Sequence, residues 1–342
     1  MKTAIALVHG HAAKWLQVII QTLKQFKTDR EFDIFVANSW PGHPSIKALT
    51  ETSLGEGVTV IDCTIRLHSH ATGLEQILDY ITDKDEYDYM FTGETDCMVC
   101  RTGWLDWFHD QIHTSQGRAC MAGFFWHEGN NHYNVNSSGT LYRKDMLLKY
   151  HKEARNNNEG MFWHPNGNRH DSEEGMDPTI KDLVGCFAET RGIKDPTPIQ
   201  KEQILAGVPQ ASWFEPGAWL YYKSLGEYTH VRVPCDHIYK KFGPVTSPEG
   251  TYYGGKENPY YIHAWGGTRC YDFLKHPITD GFVSGGAPYW LKREDEICKN
   301  FVPEDIRAIM PSLYEEMEFE KKIRENLPSI GVVERLGLVA PR

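Results

Sequence analysis

Tyr87-Asp88-Tyr89-Met90-Phe91-Thr92-Gly93-Glu94-Thr95-Asp96 carries an apolar run directly into a pair of carboxylates. The run from Tyr87 to Thr92 predicts a strand, and Glu94 and Asp96 follow two residues apart where the chain leaves the sheet. What kind of sheet this is follows from the residues upstream. Thr3 to Val8 is nearly all apolar, as suits a strand buried on both faces of a parallel sheet. Trp15, Val18, Ile19, Thr22, Leu23 and Phe26 then fall at the i, i+3, i+4, i+7, i+8, i+11 spacing of an amphipathic helix. Phe32 to Ala37 predicts a second strand, the turn-rich Asn38 to Pro44 leads into a short helix from Ser45, and Val58 to Cys63 predicts a third strand. Leu74, Ile77, Leu78 and Ile81 return to helical spacing before the quoted strand, which is the fourth. Strand and helix alternating with short connections imply an α/β fold with a mostly parallel sheet and right-handed crossovers. In such open sheets ligands bind beyond the carboxyl ends of the strands, which is where Glu94 and Asp96 stand. A hard divalent cation chelated by a diphosphate takes oxygen ligands of this kind, usually from one or two protein carboxylates.

Downstream the pattern thins. Trp104, Leu105, Phe108 and Ile112 predict a helix, and Ala119 to Trp126 one more apolar strand. Beyond Ala154 periodicity weakens, Asn156 to Asn158 and Pro165 to Asn168 read as loops, and Pro303 to Asn326 reads as one or two surface helices with Pro303 and Pro311 in first turns. A chain of 342 residues accommodates one large α/β unit with an elaborated second half. The expected division is residues 1–145, 146–300 and 301–342, the last a C-terminal helical extension. The net charge of −10 disfavours a protein that holds nucleic acid by broad phosphate neutralisation. Thr3 to Val8 is too short to span a membrane, and His9, His11 and Lys14 interrupt it before a signal-peptide core forms, which places the chain in the cytoplasm, or the host's if phage-encoded. Eight cysteines without a secretory signal read as reduced thiols. Cys97 and Cys100 form a CxxC, but neither a thioredoxin-like context nor a second pair of zinc-ligand spacing accompanies it. No protein partner is predicted.

The strand-terminal Glu94-Thr95-Asp96 resembles the Asp-any-Asp motif of the GT-A glycosyltransferases, in a Glu-any-Asp form. Other features stand in that family's order. Ala4-Ile5-Ala6-Leu7-Val8-His9-Gly10-His11 is similar to its first strand and base-holding loop, Asn38 stands after the second strand near the expected uracil, and His70 lies in the donor-contacting stretch before Gly73. Gly103-Trp104-Leu105 resembles the short motif that follows the metal site. The resemblance covers roughly residues 1–145 and implies a GT-A, Rossmann-like fold that binds the nucleotide sugar over this part, with acceptor binding and catalysis in residues 146–300 as an acceptor-side C-terminal subdomain. It further implies transfer of a hexose or pentose from a UDP-linked nucleotide-sugar donor, with Mn2+ or Mg2+ on the donor diphosphate. Asp96 is then a metal ligand, and Glu94 either a second ligand or a group facing the donor ribose or sugar. Many members add a distant histidine, and His263 within Tyr260-Tyr261-Ile262-His263-Ala264-Trp265-Gly266-Gly267-Thr268-Arg269 suits that part, with Arg269 neutralising the departing diphosphate. The alternative is a histidine packed on a strand and a surface arginine.

Sugar transfer with inversion also needs a base for the acceptor hydroxyl. Asp171, Glu173 and Glu174 are the candidates, in a carboxylate-rich stretch after His170. Trp126 and His132, in a segment mixing aromatic and polar groups, are candidates for the acceptor side. The acceptor is expected to be a glycan or small molecule; a hydroxymethylated pyrimidine in phage DNA is the alternative that the acidic balance argues against. Three readings compete with sugar transfer. His164, His170 and Asp171 suit a metal-dependent hydrolase, although no HExxH pair is present. A nucleotidyltransferase would share the sheet and metal, but His9-Gly10-His11 poorly matches its Gly-rich, basic phosphate loop. A non-catalytic sugar-binding module requires the acidic triplet to be surface decoration.

Overall fold

The computed structural model describes residues 1–9, 13–38, 44–51, 53–62, 70–115, 118–128, 132–135, 137–156, 227–242, 245–264 and 299–309, with residues 217, 220 and 224 between them. Its first part follows the strand-helix alternation. The elements run β1 (Lys2–His9), α1 (Ala13–Gln25), β2 (Glu31–Asn38), α2 (Pro44–Glu51), β3 (Val58–Asp62), α3 (His70–Thr82) and β4 (Tyr89–Glu94). The second part is β5 (Cys97–Val99), α4 (Trp104–Thr114), β6 (Ala119–Gly123), β7 (Phe125–Glu128), β8 (His132–Val135), β9 (Thr140–Arg143) and α5 (Lys144–Asn156). After it come β10 (Thr229–Arg232), β11 (Cys235–Phe242), β12 (Val245–Tyr253), β13 (Tyr261–His263) and α6 (Glu304–Ile309).

The main sheet has seven strands in the order β10-β6-β9-β4-β1-β2-β3. Strand β9 pairs antiparallel with β4 and β6, and the other pairings are parallel, so the fold is a mostly parallel α/β sheet flanked by helices. From Thr3 to His9, β1 is buried at every position, as a strand in the middle of a sheet covered on both faces must be. Helix α1 supplies the cover with Leu16, Ile19, Ile20 and Leu23, all within the main core. Among the described residues no helix is long and apolar enough to cross a membrane.

A second, four-stranded sheet in the order β11-β12-β13-β5 is antiparallel throughout. Its edge strand β5 follows β4 after only Thr95 and Asp96, so the two sheets meet at the acidic triplet. The junction is fixed by rings. Phe91 of β4 packs edge-on against Trp104 (5.2 Å), Phe108 (5.0 Å) and Tyr261 (5.4 Å), and Tyr253 meets Tyr261 edge-on at 5.4 Å. Each such pair adds roughly 0.5–1.5 kcal/mol beyond simple burial. Gly139 makes the closeness possible: its φ is 83°, and a Cβ there would stand 2.8 Å from the Tyr253 ring and 2.9 Å from that of Tyr261. From the other side α1 braces β5, the Val99 N–H donating to the Thr22 hydroxyl at 3.1 Å.

Several sequence expectations are corrected. The fourth strand begins at Tyr89 and extends to Glu94, its pairing with β1 running from Thr3 opposite Tyr89 to Val8 opposite Glu94. Ala119 to Trp126 is not one strand. It breaks at Phe124 into β6 of the main sheet and β7 of a separate two-stranded ribbon with β8; Gly123 seats against Thr140, and the Phe124 ring leans on His237 at 5.0 Å. The antiparallel sheet was not foreseen. Helix α6 follows Pro303, whose carbonyl accepts the Arg307 N–H at 2.9 Å, and Val302 and Ile306 are buried, so this stretch packs on the body and is not purely a surface helix. The remainder of Pro303 to Asn326, after residue 309, lies outside the described residues.

Candidate metal and nucleotide site

The carboxyl ends of β1, β2, β3 and β4 line up along one edge of the main sheet. Register pairs His9 with Asn38, Asn38 with Asp62, and Val8 with Glu94, so Asp62, Asn38, His9 and Glu94 follow one another along that edge. His9 and Asn38 are buried, and the Asn38 side-chain amide donates to Asp62 Oδ1 at 2.8 Å. Helix α3 starts at the same edge, with Gly73 in its first turns against Val8 and Ala37, and His70 is its first residue.

Strand β13 brings in the remaining group. Tyr261 anchors it in the aromatic junction, and two residues later, on the same face, His263 lies opposite Cys97 of β5. His263 Nε2 stands 3.3 Å from Glu94 Oε2 and 3.5 Å from Asp96 Oδ1. The histidine and Asp96 are almost wholly enclosed, whereas the Glu94 side chain is 31% exposed and forms the mouth. Burial works to lower the His263 pKa, but the Asp96 charge and hydrogen bonds to Asp96 and Glu94 outweigh it and raise the value to about 10. At neutral pH the ring is an imidazolium facing two carboxylates. Burial, reinforced by the Asp96 and Glu94 charges, holds the neighbouring Cys97 thiol well above its ordinary range, so it is protonated in this state.

A cross-strand row continues beyond His263. Thr251 of β12 is registered with His263, and His237 of β11 with Thr251. His237 Nδ1 lies 2.8 Å from Thr251 Oγ1, and burial, then the positive charge of His263, lowers the His237 pKa to about 4. It is therefore a neutral imidazole two strands from a charged one.

No protein-family model and no curated protein matches this chain. Solved structures do match. Glucosyl-3-phosphoglycerate synthase from Mycobacterium tuberculosis, in complex with phosphoglyceric acid, aligns with a TM-score of 0.33 at 12% identity over 43% of this chain and 58% of that one. An active-site mutant of LgtC aligns at 0.32 and 13%, over 63% of this chain and 72% of that one. A 4-diphosphocytidyl-2C-methyl-D-erythritol synthase aligns at 0.31 and 10%, over 43% and 77%. The match to the mycobacterial enzyme takes in less than two thirds of that protein. Likeness at this level assigns no activity.

Of the residues singled out in the sequence, the structure brings Glu94, Asp96 and His263 together and sets His9 and Asn38 along the same edge. Trp126 and His132 stand on the β7–β8 ribbon, which belongs to neither larger sheet. His11, Asp171, Glu173, Glu174 and Arg269 lie outside the described residues, as do His164 and His170. Sequence reasoning weighed Cys97 only as half of a CxxC with Cys100 and passed over Thr251 and His237. Cys97 immediately follows Asp96, and that adjacency was the available signal; Thr251 and His237 offered none, because only strand pairing puts them in the row.

Proposed function

We propose that this chain is a GT-A-type glycosyltransferase that moves a sugar from a UDP-linked donor to an acceptor hydroxyl. The observation that carries the reading is the convergence of His263 on Glu94 and Asp96 at the carboxyl edge of a parallel sheet, beside His9 and Asn38. Two carboxylates and one imidazole are a donor set that fits Mn2+ or Mg2+. Glu94, Asp96 and His263 would hold the cation, His263 by giving up its Nε2 proton. When bound, the cation supplies charge stabilisation to the departing nucleoside diphosphate.

The chain's own groups do the rest. Asn38, held by Asp62, and His9 face the nucleoside from the ends of β2 and β1. The enclosure of Asp96 and His263 lowers the local dielectric, which strengthens each charge interaction aimed at the diphosphate. Arg269 is assigned to the leaving diphosphate, and Asp171, Glu173 or Glu174 to removal of the acceptor proton. Trp126 and His132 are assigned to the acceptor side, where a glycan or small molecule is the expected occupant.

A melting-temperature panel of nucleoside diphosphates and nucleotide sugars, each with and without Mn2+, tests this reading. Stabilisation by a uridine nucleotide only when the metal is present is the expected outcome, since ligands of the folded state raise its apparent stability. Indifference to every nucleotide under both conditions would remove the proposal.

A further inference from the structure

We propose that Asp96, Cys97 and His263 form a second ligand set, overlapping the first, that captures zinc and excludes the hard cation. One ligand atom from each of the three lies within 4.8 Å of the others, and all three residues are buried. The two sets share Asp96 and His263 and differ in the partner: Glu94 from the mouth side, or Cys97 from the floor.

The donor chemistry separates them. Carboxylate oxygens with one imidazole suit Mn2+ or Mg2+, whereas a sulfur, an imidazole nitrogen and a carboxylate oxygen are the mixture that zinc takes in tetrahedral sites. Ligands at ordinary zinc distances stand ~3.4–3.8 Å from one another. His263 Nε2 already lies 3.5 Å from Asp96 Oδ1. Register holds Cys97 directly across from His263. As the S–Zn bond forms, the thiol proton leaves to solvent, and zinc likewise replaces the proton on the imidazole nitrogen. Because the two sets share Asp96 and His263, zinc in the second set leaves no ligands for the hard cation that a donor diphosphate would need, so zinc occupancy and donor binding exclude each other. Only this last consequence rests on the sugar-transfer reading; the ligand set stands without it.

Co2+, a spectroscopic substitute for zinc, tests the set on the full chain. One equivalent should produce a near-ultraviolet thiolate-to-cobalt band that added Zn2+ bleaches. Cys97→Ser should lose the band and lose more zinc affinity than the ~100-fold that removal of a supporting residue costs. The same variant should keep Mn2+ affinity, read from the paramagnetic resonance of free Mn2+, within about threefold, since the hard-cation set does not use the thiol. X-ray absorption at the zinc edge of the wild-type protein, which needs no variant, should count one sulfur at about 2.3 Å among the ligands. A band that persists in Cys97→Ser, a zinc shell without sulfur, or simultaneous binding of Zn2+ and Mn2+ would overturn the proposal. Failure of every nucleotide to bind would sink the sugar-transfer reading and leave the cobalt band unchanged.

Discussion

The two ends of the same strands carry charge in opposite ways. At the amino ends of β1, β2 and β4 the charges meet in exposed ion pairs: Lys2 Nζ lies 2.7 Å from Asp33 and 3.4 Å from Glu86, and the N-terminal amine 3.7 Å from Asp88. These groups are substantially exposed, their side chains showing from 25% to 52% of their surface. At the carboxyl ends two carboxylates share one imidazole, and two of the three groups are enclosed. Paired exposed charges contribute little to stability. Enclosed charges cost stability unless they are paired or coordinate a metal. Exposed pairs at one end and an enclosed cluster at the other are what the proposed cation site at the carboxyl ends predicts.

The largest effect should follow from neutralising Asp96. Asp96→Asn is expected to weaken Mn2+ binding by on the order of 100-fold or more and to lower the pH at which His263 titrates, followed by NMR, because the charge that holds its imidazolium has gone. Mn2+ affinity within about threefold of the wild type would break the comparison. Gly139→Ala attacks the junction instead of the charge. With φ at 83° and the Tyr253 ring 2.8 Å from the new methyl group, it should cost about 2–3 kcal/mol in denaturant unfolding and weaken metal binding through displacement of β13.

The amino end should answer to pH. His109 is fully buried, 3.0 Å from the Thr3 hydroxyl and edge-on to Tyr89 at 4.4 Å. Burial first, then the positive charge of Arg30, lowers its pKa to about 4. The unfolded chain therefore binds a proton there that the folded one refuses, and the stability due to this group is lost as pH falls from its unfolded value of 6.5 towards 4. Urea titrations should show about 2 kcal/mol less loss between pH 7 and pH 5 in His109→Gln than in the wild type. An identical pH slope in both would show that the ring protonates without unfolding. The smallest effect belongs to the exposed pairs: Lys2→Met should change stability by about 0.5 kcal/mol or less, because solvent screens the Lys2–Asp33 contact.

How much of this was legible in the sequence depended on element length. Strands β1 to β3 and helices α1, α3 and α4 announce themselves through runs long enough to show a period, such as Trp15, Val18, Ile19, Thr22, Leu23 and Phe26. Strands β5 and β13 have three residues each, too few for any alternation, so the antiparallel sheet they join was invisible. Ala119 to Trp126 looked continuous because an apolar run carries no mark of the sheet change at Phe124. Glu94 and Asp96 were legible as a pair at a strand end, and His263 as a histidine closing an apolar run. Their meeting was expected only through the family resemblance, since from the residues alone it depends on β13 pairing with β5 across a large separation in the chain. Cys97 was read only as half of a CxxC, although Cys100 sits beyond the strand and the residue facing Cys97 across the sheet is His263.

Glu94, Asp96 and His263 are proposed to act as one cation site for a nucleotide diphosphate. Calorimetric titration of UDP into the wild-type chain and into His263→Gln, each with and without Mn2+, tests this. UDP should bind the wild type only with Mn2+ present, and the variant, still folded by circular dichroism, should lose the metal-dependent part. Equal UDP binding by both proteins, or binding indifferent to Mn2+, would contradict it.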